Sequence, residues 1–324
     1  MEIERELIKS AADSIEKGSL ISMDGYSISD VKEWVTSGCW VLDKITGGGI
    51  PVGRIVEIFG NEATGKSSLG FSILGEFQKR NYITIMIDTE TSYDTNRVKV
   101  FGVDPKRVLY SQLQTIEGVF TLMETLMEKT RKQKNKKKKK LLILWDSIPA
   151  TSVKEELEGE FGNRYYGIHA NMIAQGFRKI KRYLTWEGVT LVLINQERPN
   201  IGVMFGPKYT TFGGKAVPFY ASIRIRLSSV DKIEENKKII GIRVKAMTVK
   251  NKVFPPFRSC NFILNFNTGF DNISSSIDYL VEQGSLEKKL GWITYKGKKY
   301  RNNEMQKYFK EHTDQLLLLI GRNL

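Results

Sequence analysis

The sequence predicts an α/β protein with a mostly parallel central sheet and helices on both of its faces. Three observations carry that expectation. Apolar runs of strand length at 54–59, 83–87, 141–145 and 190–195 alternate with helical patterns near 67–79, 115–128 and 166–186. That order suits a sheet covered on both sides. The first run feeds straight into Gly60-Asn61-Glu62-Ala63-Thr64-Gly65-Lys66-Ser67-Ser68, a G-x-x-x-x-G-K-S loop opening a helix. The other three runs end on polar residues, namely Asp88 and Glu90, Asp146 and Ser147, and Gln196. Ligands of such sheets sit beyond the carboxyl ends of the strands.

Taken in chain order, residues 3–15 place Ile3, Leu7, Ile8, Ala11, Ala12 and Ile15 on one helical face. That face can dock on its own domain or on another subunit. A polar stretch over 17–30 follows, and the alternating core begins near Val41. After residue 220 the pattern turns to strand-like runs at 222–228, 239–249 and 261–266. From about Phe270 the chain reads as a small α/β unit ending at 316–320.

The loop at 60–67 carries the most specific chemistry. Glycines let successive backbone N–H groups turn inward on phosphate oxygens, and the helix start adds its partial positive charge. Lys66 can reach the β- and γ-phosphates, and the Ser67 hydroxyl can sit on Mg²⁺. Asp146, behind four apolar residues, has the form of an acid that holds Mg²⁺. Glu90 can orient and deprotonate an attacking water, and the Gln196 amide can sense a γ-phosphate. Each of the last two, taken alone, is also an ordinary polar strand end. The chain is therefore expected to bind a nucleoside triphosphate.

Composition narrows the class. The 324 residues can bury one large core plus a smaller domain. No apolar run approaches the roughly 20 residues needed to cross a bilayer. The start, Met1-Glu2-Ile3-Glu4-Arg5-Glu6, lacks a secretory apolar stretch. Cys39, Cys260 and two histidines give no disulfide framework or Cys/His metal site. A cytoplasmic location without a membrane partner is expected. Of the net charge of +14, nine cations lie in one run between Lys129 and Lys140; without them the excess is +5. Such a run is most often a solvated loop, though it can hold phosphates non-specifically.

The constellation resembles a known family. GGIPVGRIVEI at 48–58, IDTE at 87–90, EGEFG at 158–162 and INQ at 194–196 are similar to motifs of the bacterial RecA recombinases. So are IGVMFG at 201–206, TTFGG at 210–214, FYAS at 219–222 and VKNK at 249–252. The resemblance runs from roughly 35 to 300. It implies a RecA-like ATPase core over 35–268, an N-terminal helix and linker over 1–34 for subunit docking, and a small C-terminal α/β domain over 269–324. The implied activity is that of a DNA-dependent ATPase using ATP and Mg²⁺. It would form a filament of its own copies on single-stranded DNA and exchange strands with homologous duplex in recombination, repair and the DNA-damage response. Binding would be independent of sequence, and loading proteins and a single-strand-binding protein would be further partners.

The same resemblance implies roles for individual residues. ATP would lie between protomers, held by residues 60–68, Asp94, Arg97 and Asp146, with Ser67 and Asp146 on Mg²⁺. Glu90 and Gln196 would act on it from one side. Lys250 and Lys252, otherwise two surface lysines, would act from the neighbour, where Phe219 and the Ile3, Leu7 and Ile8 face would also pack. Two DNA-facing loops would span about 158–167 and 197–211. They would use Arg164, Tyr165, Tyr166, Arg178, Arg198, Met204, Phe205, Lys208 and the amides of Gly213 and Gly214. Several positions depart from the family pattern. Arg97 stands for a tyrosine beside adenine, Asn171 for a DNA-facing arginine, and Pro218 for a lysine. The chain ends at Leu324 without an acidic tail, which implies easier loading on duplex. A ring-shaped helicase on the same core is the alternative, opposed by the 201–214 motif and Lys250-Asn251-Lys252. A non-catalytic accessory protein is opposed by Lys66, Glu90 and Asp146 all being present.

Overall fold

The computed structural model of the chain describes residues 2–15, 31–91, 93–132, 140–160, 165, 167–200 and 209–321. The chain forms two compact units, Met1–Lys32 and Glu33–Leu324. The first unit contributes helix α1 (Glu2–Ile15), at the position that the apolar periodicity predicts. It leaves Leu7 69% and Ile8 59% exposed.

The second unit opens with β1 (Trp34–Val35), α2 (Trp40–Thr46) and β2 (Ile50–Pro51), with the two short strands paired antiparallel. An alternating stretch follows: β3 (Ile55–Gly60), α3 (Lys66–Lys79), β4 (Ile83–Asp88), α4 (Thr95–Val100), β5 (Val108–Ser111) and α5 (Ile116–Lys132). It continues through β6 (Leu141–Asp146), α6 (Lys154–Glu158), α7 (Ile168–Glu187) and β7 (Val189–Pro199). After β8 (Tyr209–Thr211) and α8 (Ala216–Tyr220) come β9 (Ile223–Glu235), β10 (Lys238–Asn251), β11 (Ser259–Asn265) and β12 (Gly269–Asp271). Helix α9 (Asn272–Glu282) leads to a three-stranded sheet of β13 (Glu287–Lys289), β14 (Trp292–Tyr295) and β15 (Lys298–Arg301), closed by α10 (Asn302–Glu311) and α11 (Thr313–Leu319).

The main sheet runs β12-β11-β10-β9-β3-β7-β6-β4-β5, with β8 paired to the end of β7. From β9 to β5 every neighbouring pair is parallel. Strands β10 to β12 add an antiparallel wing. The wing has a local cause. Asn236 and Lys237, between β9 and β10, both take positive φ, 49° and 64°. Two such residues are what a tight antiparallel hairpin requires.

The central strands are apolar throughout because both faces are covered. Val56, Ile58, Leu142 and Leu144 face a core that α3 completes with Leu69, Phe71 and Leu74. Ile55, Ile143 and Trp145 face the other side, against α5 and α7 through Phe120, Met123 and Phe177. Leu280, Ile293, Met305, Phe309 and Leu316 join the α3 side, so the C-terminal segment shares that core. Burial on both faces fixes strand register, and register places the site residues. Among the described residues no helix is long and apolar enough to cross a membrane.

Candidate functional site

Parallel register lines up four strand ends. Gly60 of β3 lies opposite Gln196 of β7, and Asp88 of β4 lies opposite Asp146 of β6. The loop leaving β3 crosses this row and enters α3. A Cβ at Gly60 would lie 2.2 Å from the Leu227 carbonyl oxygen on β9. Gly65, at the N-cap of α3, has φ 84° and ψ 18°. Both glycines are therefore required by geometry, one by close approach and one by left-handed backbone. Thr64 is buried and donates its hydroxyl to the Asn61 carbonyl at 2.9 Å, bracing the loop from within. Ser68 is also buried. Lys66 Nζ donates to the same carbonyl at 2.6 Å. Burial lowers its affinity for a proton, while Asp146, Glu90 and Glu62 raise it.

Asp146 is 1% exposed. Neither of its carboxylate oxygens makes a well-formed hydrogen bond among the described residues, though the Ser67 hydroxyl lies near enough to favour its ionised form. Burial pushes its pKa up from 3.8 to about 6; the Ser67 hydroxyl and Lys66 pull it down, and Glu90 and Asp88 push it further up. A buried, unpartnered carboxylate beside a serine hydroxyl fits a hard divalent cation. No group of three or more acidic, His or Cys side chains forms a metal cage among the described residues. Mg²⁺ keeps several waters and binds through one or two protein groups plus phosphates.

Glu90 is exposed at the turn after β4. Its Oε1 accepts a hydrogen bond from the Ser147 hydroxyl. Asp88 holds the turn itself, accepting from Glu90 N at 3.1 Å, Tyr93 N at 3.1 Å and Tyr110 Oη at 2.9 Å. Thr89 ties β4 to β6, donating to the Ser147 carbonyl at 2.8 Å and accepting from Ser147 N at 3.0 Å. Ser147, Asp88 and Thr89 stand beside the motif residues in the sequence, but their roles emerge only once β4 is known to neighbour β6. Gln196 Nε2 donates to Glu62 Oε1 at 3.2 Å, which links the β7 end to the phosphate loop. Asp94 caps α4, accepting from Asn96 N and Arg97 N. Arg97 is exposed, with its guanidinium 6.0 Å from the Phe71 ring centre.

Other expected residues lie elsewhere. Register pairs Lys250 with Arg224, and Arg224 with Glu57, three residues before Gly60. Lys250 therefore sits roughly 10 Å back along the strands from its own loop and two strands across. Lys250 Nζ donates to the Pro218 carbonyl, and to the Phe219 carbonyl at 3.1 Å. Lys252 Nζ reaches that same Phe219 oxygen at 3.3 Å and lies 5.8 Å from the phenyl centre. Phe219 is 66% exposed. The three residues form one surface patch. Burial, then the charges of Lys252 and Arg224, lower the Lys250 pKa to about 8.

Of the DNA-facing candidates, Arg164, Tyr166, Met204, Phe205 and Lys208 lie outside the described residues. Strand β8 returns antiparallel along the end of β7, pairing Thr211 with Glu197 and Tyr209 with Pro199. Arg226 clamps this hairpin with two bonds to Glu197, of 2.8 and 2.7 Å, while its guanidinium covers Tyr209 at 4.3 Å. Beneath it, buried Glu57 pairs with Arg224 and accepts from Asn195 Nδ2 at 2.8 Å. Arg198 is exposed and lies over the Phe212 ring at 5.0 Å. Gly213 and Gly214 have φ of 88° and 64° and pack on α7, where Cβ atoms would meet Ile173 Cδ1 at 2.9 Å and Ala170 Cβ at 3.0 Å. Close packing thus already accounts for both glycines. Tyr165 is half-buried against Gly159, and Arg178 is exposed on α7. A cavity of about 830 Å³, walled by Arg243, Asp278, Lys288 and Lys310, contains none of the candidate residues.

Comparison with known proteins agrees with this geometry. A family model described as the RecA N-terminal domain matches residues 3–271. "Protein RecA" of Syntrophus aciditrophicus is 35% identical over 305 residues, covering 93% of this chain and 86% of the relative. The protein of that name from Chlorobium limicola is 34% identical over 291 residues, 88% and 81% of the two chains. That of Helicobacter pylori is 35% identical over 285 residues, 87% and 80%.

Proposed function

The chain belongs to the RecA family, and from that premise we propose how its residues serve a recombinase. It is a DNA-dependent ATPase of recombination and repair. Its copies assemble head to tail on single-stranded DNA, and each ATP site lies between two of them. The observation that carries the shared site is the separation of the Lys250, Lys252 and Phe219 patch from its own phosphate loop. One chain holds both halves of a site on two different surfaces, which a repeating head-to-tail contact brings together.

The loop at 60–67 would bind the triphosphate, with Asp146 and Ser67 holding Mg²⁺. The cation, when bound, neutralises charge on the β- and γ-phosphates. Ser147 fixes one oxygen of Glu90, leaving the other free to orient a water and take its proton. Lys250 and Lys252 of the adjoining copy would place two cations on the phosphates. Gln196 would exchange Glu62 for the γ-phosphate and so report its presence to the β7–β8 hairpin. The hairpin, Arg198 and the start of α7 would face DNA, with contacts to phosphate and base faces that read no sequence. The helicase alternative is not favoured by family membership.

Glu90→Gln tests the catalytic assignment. The amide is isosteric but cannot accept the proton, so nucleotide and DNA binding should persist while DNA-stimulated turnover falls by about a hundredfold or more. Turnover at the wild-type rate would remove Glu90 from the mechanism.

A further inference from the structure

We infer that His169 is a positioning residue that couples helix α6 to the base of the β7–β8 hairpin, so that the start of α7 and the hairpin base engage DNA as one unit. This rests on the DNA-binding role proposed above. His169 is the second residue of α7, just after Gly167, whose φ of 80° starts the helix. Its Nε2 lies 3.0 Å from Glu156 Oε2 on α6. A carboxylate can only accept, so Nε2 carries the proton in this contact. The bond joins α6 to the start of α7 across 13 residues of sequence. Between those helices in sequence, Tyr165 packs over Gly159, its hydroxyl 1.8 Å from where a Gly159 Cβ would lie.

The His169 ring also meets Phe212 edge to face, with centres 5.2 Å apart and planes at 75°. Phe212 directly follows β8, and the Arg198 guanidinium covers it at 5.0 Å. The Phe212 carbonyl accepts from buried Asn195 Nδ2 at 3.0 Å, one residue before Gln196. A continuous path therefore runs from Glu156 through His169 and Phe212 to Asn195 and Gln196, and on to Glu62 in the phosphate loop. Each contact alone is modest. Together they hold the hairpin and the start of α7 in one relative placement, which lowers the entropy lost when both meet a strand of DNA.

The test uses the full chain and a homopolymeric single-stranded DNA. His169→Ala should raise the DNA concentration giving half-maximal ATP hydrolysis by about threefold to tenfold. The plateau rate, the melting temperature and DNA-free nucleotide binding should stay at wild-type values. His169→Gln keeps a donor for Glu156 without the ring, and should recover part of the loss. Glu156→Ala should show part of the His169→Ala loss, since the Phe212 contact remains, and the double variant should be no worse than His169→Ala, because Glu156 acts only through His169. Unchanged half-saturation in His169→Ala, or additive effects in the double variant, would overturn the coupling. A wild-type rate indifferent to DNA would instead overturn the DNA-binding role, and the coupling with it.

Discussion

Asp146 shows how much a single buried group can be asked to do. Its pKa of about 6, against 3.8 for the ordinary carboxyl, means that between those values the folded chain holds the proton more tightly than the unfolded one. The carboxyl is neutral and harmless below about pH 4. Its ionisation weighs against the fold above about pH 6, with a full effect on the order of 1–3 kcal/mol. Thermal unfolding without Mg²⁺ should therefore find Asp146→Asn equal to wild type near pH 4 and more stable at pH 7.5. A difference that did not grow over that range would show the carboxylate to be compensated. Wild type alone should be rescued by Mg²⁺ with ATP, since the cation supplies the missing partner. Lys66 and Ser67 were picked out in the sequence by a motif of fixed spacing, and Asp146 by the apolar run that precedes it. Ser147 and Asp88 were not legible as supports of Glu90. Their roles depend on β4 lying beside β6, which no local pattern states.

At the scale of elements, the base of the β7–β8 hairpin rests on a buried ion pair. Glu57 is fully buried in β3, Arg224 answers it from β9, and Asn195 takes its other oxygen. Removing one member leaves a charge without its counterpart in an apolar strand. Arg224→Ala should cost about 3–5 kcal/mol in denaturant unfolding, and Glu57→Gln with Arg224→Leu should recover much of it. A loss under about 1 kcal/mol in the single variant would mean that the pair is solvated. The strands of this region were visible as apolar runs, and their parallel core followed from the alternation with helices. The antiparallel wing was harder to read. Its deciding signal is the Asn236-Lys237 turn, a two-residue feature whose positive φ is not announced by lysine. The hairpin partner of Glu197 was also unreadable, because β8 is only three residues long.

Across the whole molecule, the proposed catalysis needs sites shared between copies. Lys250→Ala and Glu90→Gln should each abolish DNA-stimulated hydrolysis alone. Mixed in equal amounts they should recover activity. About one contact in four then pairs an intact Glu90 from one chain with an intact Lys250 from the next, as a head-to-tail arrangement dictates. Absence of recovery would place Lys250 in its own chain's site or outside catalysis. The exposed Leu7 and Ile8 on α1 and the Phe219 patch are the surfaces that such an assembly would cover. Recombinase activity is read most plainly by ATP-dependent strand exchange between a single-stranded DNA circle and a linear duplex, run with homologous and non-homologous duplexes. The recombinase reading predicts joint molecules only with ATP and only with homology. Unwinding of both duplexes, or DNA binding without exchange of either, would contradict it.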